Sequence, residues 1–248
     1  MTPLFRKPLL ALAAASLAFL PACADAGAAA SKSEIEKVVR DYILENPEII
    51  EEALIALDQK QKVAQAAAAQ AAIKANADKL YSLSTDYSIG PADAKVTVVE
   101  FFDYRCGYCK RSLDWVRALP EEYDGQVRVV FKELPIFGGI SETAALAALA
   151  AGKQGKYVEM HTGLMRIKSN DDLTEANIDA VAQAAGINVT KMRADMKSMA
   201  VQQQLSDMKA LGQNLAVGGT PGFFIGEQHI EGANIPLLES AIEDALKS

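Results

Sequence analysis

The sequence predicts an α/β domain that carries a block of inserted helices and follows a helical stalk. Three observations lead there. Residues 95–103 are dense in Val and Phe, as in a buried strand, and residues 106–119 follow at once with helix-forming composition. Residues 138–211 hold no strand pattern, far more chain than the dozen or so residues that a crossover between parallel strands needs. Residues 47–79 form an Ala-rich run without a breaker, long for a helix packed inside a small domain. With 248 residues, 50% of them apolar, there is enough chain for one substantial domain and a smaller appended one.

At the N-terminus, Arg6 and Lys7 precede an apolar run over residues 9–20, followed by Pro21 and Ala22-Cys23-Ala24. This layout predicts a secretory signal, residues 1–24, cleaved after Ala24. The run is shorter than the roughly 20 apolar residues of a bilayer-spanning helix. Leu20-Pro21-Ala22-Cys23 also fits a lipobox, so the alternative to a soluble exported product is a lipoprotein anchored through Cys23.

Residues 25–87 are expected to form the stalk. Ser33 and Glu36 supply the S-x-x-E pattern of a capping box, and Ile35, Val38, Val39, Tyr42 and Ile43 recur at helical spacing behind it. Asn46-Pro47 then reads as an N-cap followed by proline in the first helical position. In the second helix Ile50, Leu54, Leu57, Gln61, Ala64, Ala68, Ala71 and Ala75 fall three and four apart, a coiled-coil-like seam that weakens along its length. Few apolar residues of such a stalk can be covered by its own chain, so self-association is expected.

Residues 82–92 have linker composition, and the main domain, residues 88–248, takes shape behind them. Residues 126–133 give a second strand, residues 223–225 and 228–231 a hairpin about Gly226-Glu227, and residues 235–246 a closing helix. Inside the strandless stretch, helices are expected over residues 144–151, 157–165, 176–185 and 192–211, punctuated by Gly152, Gly155 and Gly186.

The formal net charge of -7 comes without a basic run, which excludes electrostatic binding to nucleic acid. The chain has three cysteines, and export with cleavage leaves Cys106 and Cys109 in a compartment that permits disulfides. A bridge closing so short a loop adds little stability, so the pair points to reactivity. It sits where a strand turns into a helix. Unsatisfied N–H groups at the helix start favour a thiolate on the first cysteine, making Cys106 the nucleophile. Cys109, one turn on, can attack the sulfur of a mixed disulfide and release the substrate. Haem attachment needs a histidine after the second cysteine, where Lys110 stands. Zinc needs two more ligands, and only His161 and His229 remain. Met160, Met192, Met196, Met199 and Met208 are read as core or groove-lining residues, so no metal site or cofactor is assigned.

The segment Phe101-Phe102-Asp103-Tyr104-Arg105-Cys106-Gly107-Tyr108-Cys109-Lys110, with the inserted helices, resembles DsbA-like proteins of the thioredoxin superfamily. The capped N-terminal helices and long stalk add a resemblance to the suppressor-of-copper-sensitivity protein C branch. That resemblance implies a thioredoxin-like fold and a periplasmic thiol-disulfide oxidoreductase, of disulfide isomerase or reductase type. It implies cysteine-containing client proteins as substrates, a membrane-bound reducing partner and a homotrimer.

Gly219-Thr220-Pro221-Gly222 matches the family's cis-proline loop, which implies that Thr220 and Pro221 dock an extended substrate beside the sulfur, with Gly107 and Tyr108 on the same client-facing surface. Glu100 matches the family's buried acid, which exchanges a proton with Cys109, and Lys132 matches that acid's partner. Tyr108 replaces the histidine of the strongly oxidising motif, so weaker oxidising power is expected. A monomeric dithiol oxidase and a thiol-based copper carrier or holdase are the alternatives.

Overall fold

The computed structural model describes residues 31–81 and 84–247, so the expected signal peptide and Cys23 lie outside the described residues. The chain divides into two compact units that meet in sequence between Leu57 and Asp58.

The first unit holds α1 (Lys32–Glu45) and the opening of α2 (Glu48–Ala75). Its capping box lies two residues earlier than expected. The Ser31 backbone N–H donates to Glu34 Oε2 at 2.8 Å, and the Glu34 N–H donates to Ser31 Oγ at 3.4 Å. Both S-x-x-E frames are present in the sequence, and the earlier one lets the helix gain two more residues. No residue of α1 is buried, and Ile35, Val38, Val39 and Tyr42 are 51–67% exposed. On α2, Ile50, Leu54 and Leu57 are likewise exposed.

In the second unit α2 stops at Asn76, whose side-chain amide donates to the Ala72 carbonyl at 2.9 Å. A short α3 (Ala77–Tyr81) follows, so the single helix expected to residue 79 is broken. Ile73 and Leu80 are buried here, and the core of this unit therefore begins well before residue 88.

Five strands form one sheet in the order β1-β3-β2-β4-β5: β1 (Tyr87–Ile89), β2 (Val96–Phe102), β3 (Val127–Glu133), β4 (Gly222–Ile225) and β5 (Gln228–Glu231). Strands β2 and β3 run parallel through the crossover helix α4 (Gly107–Glu122), and the other pairs are antiparallel. Strand β1, expected to be linker, pairs Tyr87 with Phe131 at the sheet edge. Three residues are too few to show an alternating pattern.

The insertion consists of α5 (Ile140–Gly152), α6 (Tyr157–Met165), α7 (Glu175–Ala184), α8 (Val189–Asp195) and α9 (Met199–Asn214); α10 (Ile235–Lys247) closes the fold. The helix expected over 192–211 is split, because Ser198 caps α9 by accepting from the Val201 N–H at 3.5 Å. Gly152, read as punctuation, is required by close approach: a Cβ there would lie 2.0 Å from Tyr87 Cζ, in a ring stacked on Tyr157 at 4.2 Å. Met160, Met192, Met196 and Met208 are buried, whereas Met199 is 88% exposed.

The pleat sorts the side chains into two cores. Val98, Phe102, Val129 and Phe131 belong to the core shared with α4 and the inserted helices. Val99, Phe101, Val130 and Phe224 pack on the opposite face with Ile73, Leu80 and Leu211.

Candidate active site

Strand β2 ends at Phe102, and after three intervening residues Cys106 caps α4 with an extended backbone, φ -74° and ψ 115°. Asp103, buried, holds this turn. Its Oδ1 accepts from the Arg105 N–H at 2.7 Å and from Ser141 Oγ at 2.8 Å, while Oδ2 accepts from the Phe137 N–H at 3.1 Å. One carboxylate thereby ties the turn to the start of α5.

From the other side, the loop ahead of β4 brings in Thr220 and Pro221 across a cis peptide bond. Cys106 Sγ lies 3.0 Å from the Thr220 carbonyl oxygen, to which it donates when protonated. Cys106 as a residue is only 6% exposed, less than its turn position suggests, whereas Tyr108 is 60% exposed and Gly107 is also open. Both cysteines are free thiols, and Cys109 is fully covered.

The electrostatics divide the pair. The Cys106 thiol is brought down to about 5, first by the hydrogen bond from Cys109, then by Thr220 and the N–H groups of Cys109 and Tyr108, all against the cost of burial. The Thr220 hydroxyl, buried with no other partner, is free to turn toward a thiolate. Cys109 is driven up, first by burial, then by its donation to Cys106 and by the nearby Glu100. Glu100 is pushed up to about 8 by burial, with the Cys106 charge adding to it and the Ser112 hydroxyl at 3.5 Å partly opposing it. At neutral pH the site therefore holds a thiolate at Cys106, a thiol at Cys109 and a mostly protonated Glu100.

Lys132 requires a correction, because it does not partner Glu100. Glu100 is in register with Phe131 and Lys132 with Phe101, so the two point to opposite faces of the sheet. The buried Lys132 ammonium instead pairs with Asp86 at 2.5 Å and donates to the Lys79 carbonyl at 2.7 Å. Its stem packs away from the cysteines.

Sequence reasoning passed over a second buried acid. Glu133 Oε1 accepts from the hydroxyls of Tyr104 and Tyr157, each at 2.8 Å, and Tyr104 Oη lies 3.2 Å from His161 Nδ1. Burial, as the leading cause, raises Glu133 and both tyrosines well above their ordinary ranges and takes His161 down to about 3. This buried polar cluster, in which burial favours the neutral forms, seats the residues just before Cys106. Asp103 and Tyr104 stood beside the cysteines in the sequence, but Glu133 and Tyr157 carried no signal of their own, and His161 stood out only as a possible metal ligand.

With this geometry in hand, the chain can be set beside known proteins. A family model described as Thioredoxin matches residues 82–244, and one described as Copper resistance protein ScsC N-terminal domain matches residues 32–64. The crystal structure of Proteus mirabilis ScsC in a transitional conformation is 31% identical, with a TM-score of 0.66 over 87% of this chain and 97% of that one. The probable disulfide bond formation protein D of Bacillus cereus is 26% identical over 70% of this chain and 85% of its own length. The Na(+)/H(+) antiporter NhaA 3 of Salinispora tropica is 32% identical over 66% of this chain, but the chain spans only 25% of that relative.

Proposed function

The chain belongs to the thioredoxin family, in its DsbA-like branch alongside ScsC, and on that premise we propose that it is a periplasmic protein thiol-disulfide oxidoreductase of isomerase or reductase type. The observation that carries the reading is the asymmetric pair: a Cys106 thiol lowered to about 5 at a helix start, beside a buried Cys109 and a Glu100 raised to about 8.

In the first step the Cys106 thiolate attacks one sulfur of a client disulfide. A Cys106–client disulfide forms and the other client sulfur leaves as a thiolate. Two exits follow. A client thiolate can attack back and rearrange the bonds, which is isomerisation. Alternatively Cys109 gives up its proton and attacks Cys106 Sγ, leaving a Cys106–Cys109 disulfide and a reduced client. The minor ionised fraction of Glu100 at neutral pH is the proposed acceptor of that proton. Thr220 and Pro221 serve as the docking edge, with Gly107 and Tyr108 as the open face of the site.

The proposal includes a signal peptide at residues 1–24, assembly through the N-terminal helices, a trimer, and a membrane-bound reductant that keeps Cys106 reduced. The uncovered apolar residues of α1 and α2 and the ScsC N-terminal family match support assembly. Among the described residues, no helix is long and apolar enough to cross a membrane. Refolding of scrambled ribonuclease and reduction of insulin test the activity. Wild type is expected to perform both, Cys106→Ser neither, and Cys109→Ser to accumulate mixed disulfides. Equal trapping by the two serine variants would overturn the roles. A triple variant, Ile50→Glu, Leu54→Glu and Leu57→Glu, is expected to scatter light as a monomer that reduces insulin but has lost ribonuclease refolding.

A further inference from the structure

Beside the cysteine pair lies a groove of about 380 Å³ whose charge is opposite to that of the chain as a whole. Lys110, Arg111, Arg166 and Lys168 line it against the single carboxylate of Asp114, in a protein of net charge -7. Asp171 and Asp172, next along the same loop, do not line it. Arg166 approaches Asp114 at 3.7 Å with both side chains exposed, a pairing too weak to neutralise the patch.

Two of the four cations are held in place. The Arg111 guanidinium lies 4.1 Å over the Tyr108 ring, which keeps its planar fork presented. Lys110 Nζ donates to the Ile167 carbonyl at 2.6 Å and to Asn170 Oδ1 at 3.1 Å, and the Asn170 amide donates to the Arg105 carbonyl at 3.0 Å. The loop bearing Arg166 and Lys168 is thereby tied to both ends of the cysteine turn. Gly107, the residue after the nucleophile, forms part of the groove wall.

We propose that this groove selects clients whose reactive cysteine is flanked by Asp or Glu, so that the acidic side chains enter it while the sulfur meets Cys106. An extended peptide advances roughly 3.4 Å per residue, which brings a side chain a few positions from the attacked cysteine over Lys110 and Arg111. The inference rests on the thiol-exchange reading and adds the substrate class to it. No new covalent step is involved, since the groove acts on encounter and orientation.

The test uses the full-length reduced protein in single turnovers against three disulfide-linked peptides, with Glu, Lys or Ser on either side of the cysteine. At low ionic strength the Glu peptide is expected to react about tenfold faster than the Lys peptide, with the gap closing near 0.5 M salt. The double variant Arg166→Glu/Lys168→Glu is expected to bring that ratio to one or below. Lys168→Glu alone, at an exposed position, is expected to shift it the same way and guards against a misfolded double variant. Equal rates for the Glu and Lys peptides while the Ser peptide is reduced would overturn this inference and leave the thiol reading standing. Failure to reduce the Ser peptide would overturn both.

Discussion

Glu100→Gln isolates the energetic cost of the buried acid. Glu100 rises from an ordinary 4.5 to about 8, and at 1.36 kcal/mol per unit that is an upper figure of roughly 5 kcal/mol. The unfolded chain loses this proton near 4.5 while the folded one keeps it to about 8, so the folded state binds one proton more across that window. Stability contributed by Glu100 therefore falls as pH rises through it. Cys106 slopes the other way: its folded thiol titrates near 5 against 9.0 for a free one, so its contribution grows as pH rises from about 5 to 9. The two trends mask each other in wild type, and the comparison belongs in a Cys106→Ser background. Urea unfolding can be followed through Trp115, the only tryptophan, which packs edge-on against Phe223. Between pH 5 and 8 the Gln variant is expected to gain on its Glu parent by roughly 3 kcal/mol, allowing for the lost Cys106 charge. A difference constant to within about 0.5 kcal/mol across that range would show that Glu100 titrates normally, and its part in proton exchange would fall with it.

Two further outcomes follow from the geometry. Cys109→Ala removes the leading cause of the lowered Cys106 thiol, so the midpoint of Cys106 alkylation against pH should move up from about 5 by one unit or more; an unmoved midpoint would shift the credit to Thr220 and the helix N–H groups. Lys132→Met leaves the buried Asp86 carboxylate unpaired and should cost about 3–5 kcal/mol in urea unfolding while the Cys106 midpoint stays in place. A shifted midpoint would mean that Lys132 acts on the cysteines after all.

What could be read in the sequence was what local pattern determines. The strand-turn-helix around the cysteines, the hairpin at Gly226 and the positions of the inserted helices follow from residues adjacent in the chain. Glu100, Thr220 and Pro221 came from a resemblance, and the sheet register brings them to Cys106. Lys132 failed on parity: strand neighbours one residue out of step face opposite ways, and single-strand composition does not show the register between strands. The seat formed by Glu133, Tyr157 and His161 is closed by hydrogen bonds between residues 24 or more positions apart, which no local window contains. Strand β1 was hidden by its length, and the split before α9 by a serine that looks like any other in a helical stretch.

The polar seat beneath the turn bears on how the site meets acid. With His161 titrating near 3, the imidazole of the cluster stays neutral between about pH 4 and 8, while burial favours the protonated forms of Glu133 and its two tyrosines. Cys106 and Glu100 both titrate inside that interval. Acidification thus changes the charge of the pair while the imidazole in its mounting stays neutral, and a return to neutral pH restores the thiolate.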